Sequence, residues 1–310
     1  MDFQAYTCFT KRFLYMSAAS QPLKAAFWMV GAMVSFSLMA ISGRELAPEL
    51  STFDIMFLRS LIGLVIVLAV GFFARTLTQI KTDRLGLHMV RNTAHFTGQN
   101  LWFLAVAFIP FSQLFALEFS TPIWVALLAP LFLGEALTRR RLLSVALGFA
   151  GVLIVARPDM QNINPAILAA MACAICFACS LMATKKLTSD QSITCILFWL
   201  TFMQLCMGAV AIGFTGGLTL PRGIDYLWVL TVGFGGLTAH FCITKGLALA
   251  PAIVVIPLDF LRLPLISAIG FLAYGEAFEW PVVLGAILIF TAVLVNLQAE
   301  HQRNNSRSKA

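Results

Sequence analysis

The chain has 310 residues, 60% of them hydrophobic and 11% charged, with a formal net charge of +7 and a mean hydropathy of +0.88. Soluble domains carry ~25% charged residues, so the composition excludes a fold solvated by water and places most of the chain in lipid. The basic excess lies in short stretches between apolar runs, not along one face, which excludes a nucleic-acid surface and reads as membrane topology.

Residues 1–24 read as a polar cytoplasmic tail carrying Lys11, Arg12 and Lys24. Ala18-Ala19-Ser20 precedes the first apolar run, so no cleavable signal peptide is expected, and Met16 is an alternative start. Ten runs then meet the requirement of ~20 apolar residues per crossing. They are 25–43, 53–73, 86–108, 111–133, 140–156, 165–184, 191–214, 225–249, 252–274 and 281–298, followed by a cytoplasmic tail at 299–310. The expected fold is an all-α polytopic membrane protein of ten transmembrane helices.

The loop charges orient it. With the N-terminus inside, 14 Lys and Arg residues fall on the cytoplasmic side and 3 (Arg44, Arg157 and Arg222) on the other. That bias predicts both termini in the cytoplasm of a bacterial cytoplasmic (inner) membrane. Four cations, Arg59, Arg91, Lys245 and Arg262, fall within spans.

The chain also matches itself. Residues 97–153 align without a gap on 238–294 at an offset of 141: Pro110 on Pro251, Leu117 on Leu258, Phe119 on Phe260, Gly134-Glu135-Ala136 on Gly275-Glu276-Ala277 and Val152-Leu153 on Val293-Leu294. An acid lies on an acid inside this apolar stretch, Glu118 on Asp259. Residues 25–158 and 159–298 are therefore expected to be two copies of one five-helix unit. Five is odd, so the copies cross the membrane in opposite senses, the layout of an alternating-access carrier.

Pro122, Pro130, Gly134-Glu135, Gly148, Gly151 and Arg157-Pro158, repeated more loosely as Pro264, Gly275-Glu276 and Gly285, resemble the EamA branch of the drug/metabolite transporter superfamily. Arg59 also matches a common position of that family. The resemblance covers residues 25–298, except that Ile289 and Ala292 stand where the first half has Gly148 and Gly151. It implies a secondary transporter of a small organic metabolite: amino acid, nucleotide-like compound, metallophore, or vitamin such as riboflavin.

A charge inside hydrocarbon is a functional candidate, because burying it costs ~2.5–3.5 kcal/mol even on lenient scales. Arg59, Arg91, Glu118, Lys245 and Asp259 are the expected coupling or gating residues; ion pairs that lock helices together are the alternative. Glu118 lies seven residues into its span, ~10 Å deep at 1.5 Å per residue, and Asp259 is expected at a similar depth from the opposite face. Lys245 and Asp259, on successive helices joined at Pro251, are the expected ion pair. The third span places His88, Arg91, Asn92, His95 and Gln99 on one helical face. Such a stripe must face protein or water. The substrate-binding candidates are His95, Gln99, Asn100, Trp102, Phe115, Glu118, His240 and Arg262, with His240 falling opposite Gln99 in the repeat and Arg262 offering a positive charge to a carboxylate. Polar groups beside Trp102 and Phe115 suggest a polar aromatic substrate such as riboflavin; an amino acid or other carboxylate is second.

Ala146, Gly148, Ala150 and Gly151 give the fifth span a small face for close helix packing, or alternatively for a homodimer. Cys173, Cys176 and Cys179 have iron–sulfur-like spacing but lie in an apolar run without the fourth ligand, and read as packing residues. No metal, cofactor or phosphate-loop motif is found, so the drive is expected to come from a gradient, protons being the candidate. A membrane-embedded enzyme using His and carboxylates is the competing class, and the repeat disfavours it.

Overall fold

The computed structural model describes residues 22–133, 139–156, 164–188, 190–249, 259 and 262–309. Residues 1–21 of the N-terminal tail, the Gly134-Glu135-Ala136 run, Arg157-Pro158 and Pro251 lie outside them. Within them every regular element is helical: α1 (Pro22–Leu46), α2 (Thr52–Phe73), α3 (Leu85–Phe108), α4 (Phe111–Glu118), α5 (Thr121–Leu133), α6 (Arg139–Ala156), α7 (Pro165–Leu187), α8 (Ile193–Thr215), α9 (Asp225–Leu249), α10 (Arg262–Tyr274) and α11 (Trp280–Lys309). Five of these helices (α1, α2, α7, α8 and α9) contain stretches long and apolar enough to cross a bilayer. α3 equals them in length, but its polar stripe lowers its hydropathy. The chain is an all-helical, multi-pass membrane protein. Its apolar side chains point outward as readily as inward, with Phe27, Phe73, Phe214 and Leu272 more than 70% exposed, as lipid requires.

Local chemistry sets the helix ends. Ser51 caps α2 in a reciprocal box with Asp54, and Ser192 caps α8 from the same position of the repeat. Asn164 caps α7, where Pro165 takes the first turn and gives up no needed N–H. Gly216 closes α8 at φ 100°, a left-handed conformation that glycine adopts without strain. The repeat offset of 141 carries through these boundaries: Leu46 and Leu187 end α1 and α7, Ser51 and Ser192 cap α2 and α8, and Phe108 and Leu249 end α3 and α9.

One predicted span is not continuous. Residues 111–133 form two helices, α4 and α5, separated at Phe119 and Ser120. Pro122 has no N–H to give to the Glu118 carbonyl four residues back. The Thr121 hydroxyl donates to that carbonyl instead at 2.6 Å, and the Ser120 hydroxyl donates to the Leu117 carbonyl at 2.6 Å. Broken backbone is stable at membrane depth only when such groups satisfy it. Glu118 is therefore the last residue of a half-helix.

The halves interlock across the repeat. α1 packs on α9 and α7 on α3, two contacts that exchange when the halves are exchanged; α2 packs on α8 and α6 on α11, each helix meeting its own copy. Small residues make these approaches possible. A Cβ on Gly151 would come within 2.7 Å of the Gly285 carbonyl, one on Gly208 within 3.2 Å of the Phe57 backbone, and one on Gly98 within 2.8 Å of the Cys176 side chain. Of the small face of α6, Gly151 packs against α11 and Gly148 against Ile123 of α5, while Ala146 and Ala150 are exposed. Cys176 of α7 packs against Gly98 of α3, and Cys173 is buried with its thiol donating to the Ala170 carbonyl.

Candidate functional site

Three polar clusters lie where the halves meet. The first surrounds Arg262, the opening residue of α10, 2% exposed. Its Nη2 donates to Glu118 Oε1 at 2.9 Å and to Asp259 Oδ2 at 3.1 Å. The second Glu118 oxygen accepts the Trp102 indole N–H at 2.7 Å. The guanidinium lies 4.8 Å from the ring centres of Phe36 and Phe115 and 5.3 Å from that of Phe119, a cation–π setting in a desolvated place. Asp259 Oδ1 and Arg262 Nε are buried without a hydrogen-bond partner.

This geometry corrects three expectations. Asp259 pairs with Arg262, one helical turn away, and not with Lys245, whose ammonium lies 5.6 Å over the Phe241 ring. Glu118 and Asp259 are not at separate depths; they meet on one guanidinium, because the break after α4 brings Glu118 to the seam. Arg262, offered above to a substrate carboxylate, is already matched by two acids. Trp102 and Phe115 come together as expected, their ring centres 6.0 Å apart and edge to face, but at 1% and 0% exposure they form packed walls here and not an open stacking surface.

The second cluster follows the polar face of α3, and among the described residues no carboxylate makes an ion pair with it. His95 Nε2 lies 3.1 Å from His240 Nε2, and His95 Nδ1 lies 2.9 Å from the amide nitrogen of Gln204. An amide N–H can only donate, so neutral His95 accepts at Nδ1, carries its proton on Nε2 and donates to His240. Offset 141 sets His240 on Gln99, but spatially it meets His95, one turn earlier on α3. Gln204 on α8 was missed by sequence reasoning, since one glutamine in an apolar helix carries no local signal. Arg91 Nε donates to Thr184 at 3.1 Å and its Nη1 to Asn92 at 2.7 Å; Asn92 in turn donates to the Trp199 carbonyl at 3.0 Å. Gln99 Nε2, Asn100 Oδ1 and both ring nitrogens of His88 are buried without partners.

Arg59 completes this cluster. It is 5% exposed, and its bond is a weak one to the Met56 sulfur at 3.6 Å. The guanidinium lies so close to Gly236 that a Cβ there would sit 2.4 Å from Nε. Arg59, Ser60, Gly63, Thr201, Gln204 and Gly233 line a cleft of about 10 Å³, room for one water-sized group.

The third cluster closes the end of the bundle where α1 finishes. Arg44 makes an ion pair with Glu276 and donates to the carbonyls of Val106 at 2.8 Å and Ile109 at 2.5 Å. Its guanidinium lies 3.5 Å over the Phe111 ring. Glu276 also accepts the Phe111 backbone N–H, the unsatisfied donor at the start of α4. Tyr274 donates to Glu45 at 2.6 Å. This one knot ties α1, α3 and α4 of the first half to the loop after α10 of the second. Sequence reasoning counted Arg44 as a loop charge and Glu276 as a repeat marker; the recurrence of Gly-Glu-Ala was the available signal for the latter.

With this geometry in view, comparison with known proteins gives a consistent result. The profile described as the EamA-like transporter family matches twice, at residues 23–157 and 164–298. The chain is 29% identical to a riboflavin transporter of Rhizobium johnstonii, covering 93% of this chain and 96% of that one. It is 24% identical to an S-adenosylmethionine uptake transporter of Rickettsia felis, covering 88% and 92%. A riboflavin transporter of Vibrio cholerae is 27% identical, covering 93% and 98%. Among solved structures, one protein crystal structure shares the fold with a TM-score of 0.62 at 18% identity, covering 90% of this chain and 98% of the other.

Proposed function

The chain belongs to the EamA-like transporter family, and on that footing we propose that it is a secondary carrier that moves a polar metabolite, with riboflavin as the leading candidate, across the bacterial cytoplasmic membrane with both termini inside. One observation carries this reading: the buried polar groups join the two halves pairwise, His95 to His240 and Glu118 to Arg262 and Asp259. Groups shared across a repeat seam change neighbours when the halves rock, and alternating access consists of that exchange. His95, Gln99, Asn100, Trp102, Phe115, Glu118, His240 and Arg262 line or frame the path. Arg59, Arg91, Lys245 and Asp259, with Glu118, respond to its opening. The spare donors and acceptors of Gln99 and Asn100 suit a heteroaromatic ring edge, and Trp102 and Phe115 would flank it once the seam parts.

The cleft beside Arg59 holds one water-sized group, so a metabolite enters only after the helices separate; the Arg44–Glu276 knot is the gate that must release. Carriage is preferred to catalysis because the relatives are named transporters and because the acids and the histidine pair form separate clusters.

Purified full-length protein in proteoliposomes, offered radiolabelled riboflavin, S-adenosylmethionine and a panel of amino acids with and without a pH gradient, tests this directly. Saturable riboflavin accumulation that is lost in His95→Ala and Gln99→Ala, with both variants still folded, is the expected result. Accumulation of another panel member alone would reassign the substrate, and accumulation of none would reject the reading.

A further inference from the structure

The arginine on α2 is surrounded unlike any other buried cation described. Among the described residues Arg59 has no carboxylate within salt-bridge distance and no oxygen acceptor for any guanidinium N–H, and it borders the cleft. Arg91, also buried, satisfies part of its fork with neutral oxygens from Thr184 and Asn92. Among the described residues neither arginine has an acidic partner, so the pair is a buried double positive charge. A guanidinium left in this condition inside a bilayer lacks the planar oxygen pair that its fork matches.

A cleft the size of one water lies beside the fork, so an oxyanion fits there only once the helices separate. Gly236 presses against the guanidinium, while Gly63 and Gly233 border the cleft with Thr201 and Ile62 packed over them, and Leu200 and Leu237 complete its lining. Ser60 and Thr201 border the same space, and Gln204 joins the cleft to His95. These groups come from α2, α8 and α9, so both halves contribute.

We propose that Arg59, within the positive field of Arg91 and beside Gln204, is the receptor for an oxyanion, a carboxylate or phosphate monoester that the transported molecule carries. The inference rests on the carrier reading above and narrows its substrate class: the cargo carries an oxyanion group, bound head-first at the arginine with the rest of the molecule towards Trp102 and Phe115. The same oxyanion chemistry has a second source, a free inorganic anion that occupies the site beside an uncharged cargo.

The test uses the purified full-length protein at constant ionic strength. Thermal unfolding is followed with acetate, inorganic phosphate and chloride. Binding is then measured for two matched pairs, riboflavin 5′-phosphate against riboflavin and S-adenosylmethionine against its decarboxylated form. Each measurement is repeated in Arg59→Gln and Arg59→Lys. The expected result is that the member of at least one pair that carries the phosphate or carboxylate binds at least about tenfold more tightly than the member that lacks it. Arg59→Gln should erase that ratio without weakening the member that lacks the oxyanion, and Arg59→Lys should recover part of it. Stabilisation by phosphate or acetate, lost in Arg59→Gln, with equal binding within each pair, supports the site with the inorganic source. If no anion stabilises the protein in an Arg59-dependent way and no pair is discriminated, the inference is overturned. Riboflavin uptake by the parent tests the carrier reading separately, so an overturned inference with uptake intact leaves that reading standing.

Discussion

Arg262 and Arg59 are both buried arginines at the seam between the halves, and they are solved in opposite ways. Arg262 is held by two carboxylates and three aromatic rings; Arg59 has a thioether, a glycine and a cleft. Taking an ion out of water costs several kcal/mol, and only close opposite charge with good geometry offsets it. Arg262 is therefore part of the scaffold in this conformation, its three charges summing to −1. Arg59 and Arg91 together carry +2 with no acid in reach among the described residues. The difference teaches that intramembrane charge in this chain has two uses, one closing the structure and one left incomplete for something that comes and goes.

The largest effect should come from breaking the complete centre. Arg262→Ala leaves Glu118 and Asp259 as neighbouring buried acids without a cation, a loss of about 3–5 kcal/mol by comparison with other broken buried pairs. Melting in detergent should drop sharply, with little folded protein recovered. The triple change Arg262→Gln with Glu118→Gln and Asp259→Asn removes all three charges and should restore most of the stability. If Arg262→Ala melts like the parent, the centre is not a scaffold element and the comparison fails on that side.

A middle-sized effect probes the packing of the incomplete centre. Gly236→Ala places a Cβ against the Arg59 guanidinium, and overpacking of this kind costs about 1–3 kcal/mol unless the neighbour moves. Arg59 is long and borders an open cleft, so it should yield, and the cost should fall at the low end of that range. The double variant Gly236→Ala with Arg59→Gln should recover nearly all of it, and a double-mutant cycle reads the coupling directly. Equal losses with and without Arg59 would mean that the glycine serves the helix crossing and not the arginine.

Much of this was legible before any coordinates. Hydropathy gave an all-helical membrane protein, the internal match gave its two-part build, and intramembrane charge picked out residues that do meet. What could not be read was the pairing. Asp259 has a cation fourteen residues back and another three residues on; proximity along a helix face favours the second, but the expected turn at Pro251 made the first look natural. The break of the fourth span was available in Pro122 and Thr121, yet a proline two residues past an acid in an apolar run reads equally well as a kink. Gln204, Arg44 and Glu276 take their meaning from helices far away in sequence, and no local pattern carries that.

The smallest stability effect should belong to Arg59→Gln measured without ligand. In most membrane helices the loss of a buried arginine exposes whatever it neutralised. Here nothing acidic is left behind, because no described carboxylate faces it. Glutamine is neutral, fits within the space arginine occupied, and retains an amide that Ser60, Thr201 or Gln204 can meet. The repulsion between Arg59 and Arg91 also disappears, and against it stands only the lost packing of a longer side chain over Gly236. The net change should stay within ~1 kcal/mol of the parent and could favour the variant, as when a site shaped for a ligand is relaxed at the expense of function. Melting of Arg59→Gln and Arg262→Gln side by side in one detergent gives the contrast: the second should fall by several degrees more than the first. Equal falls would show that Arg59 supports the fold as Arg262 does, and the distinction between a complete and an incomplete centre would be lost.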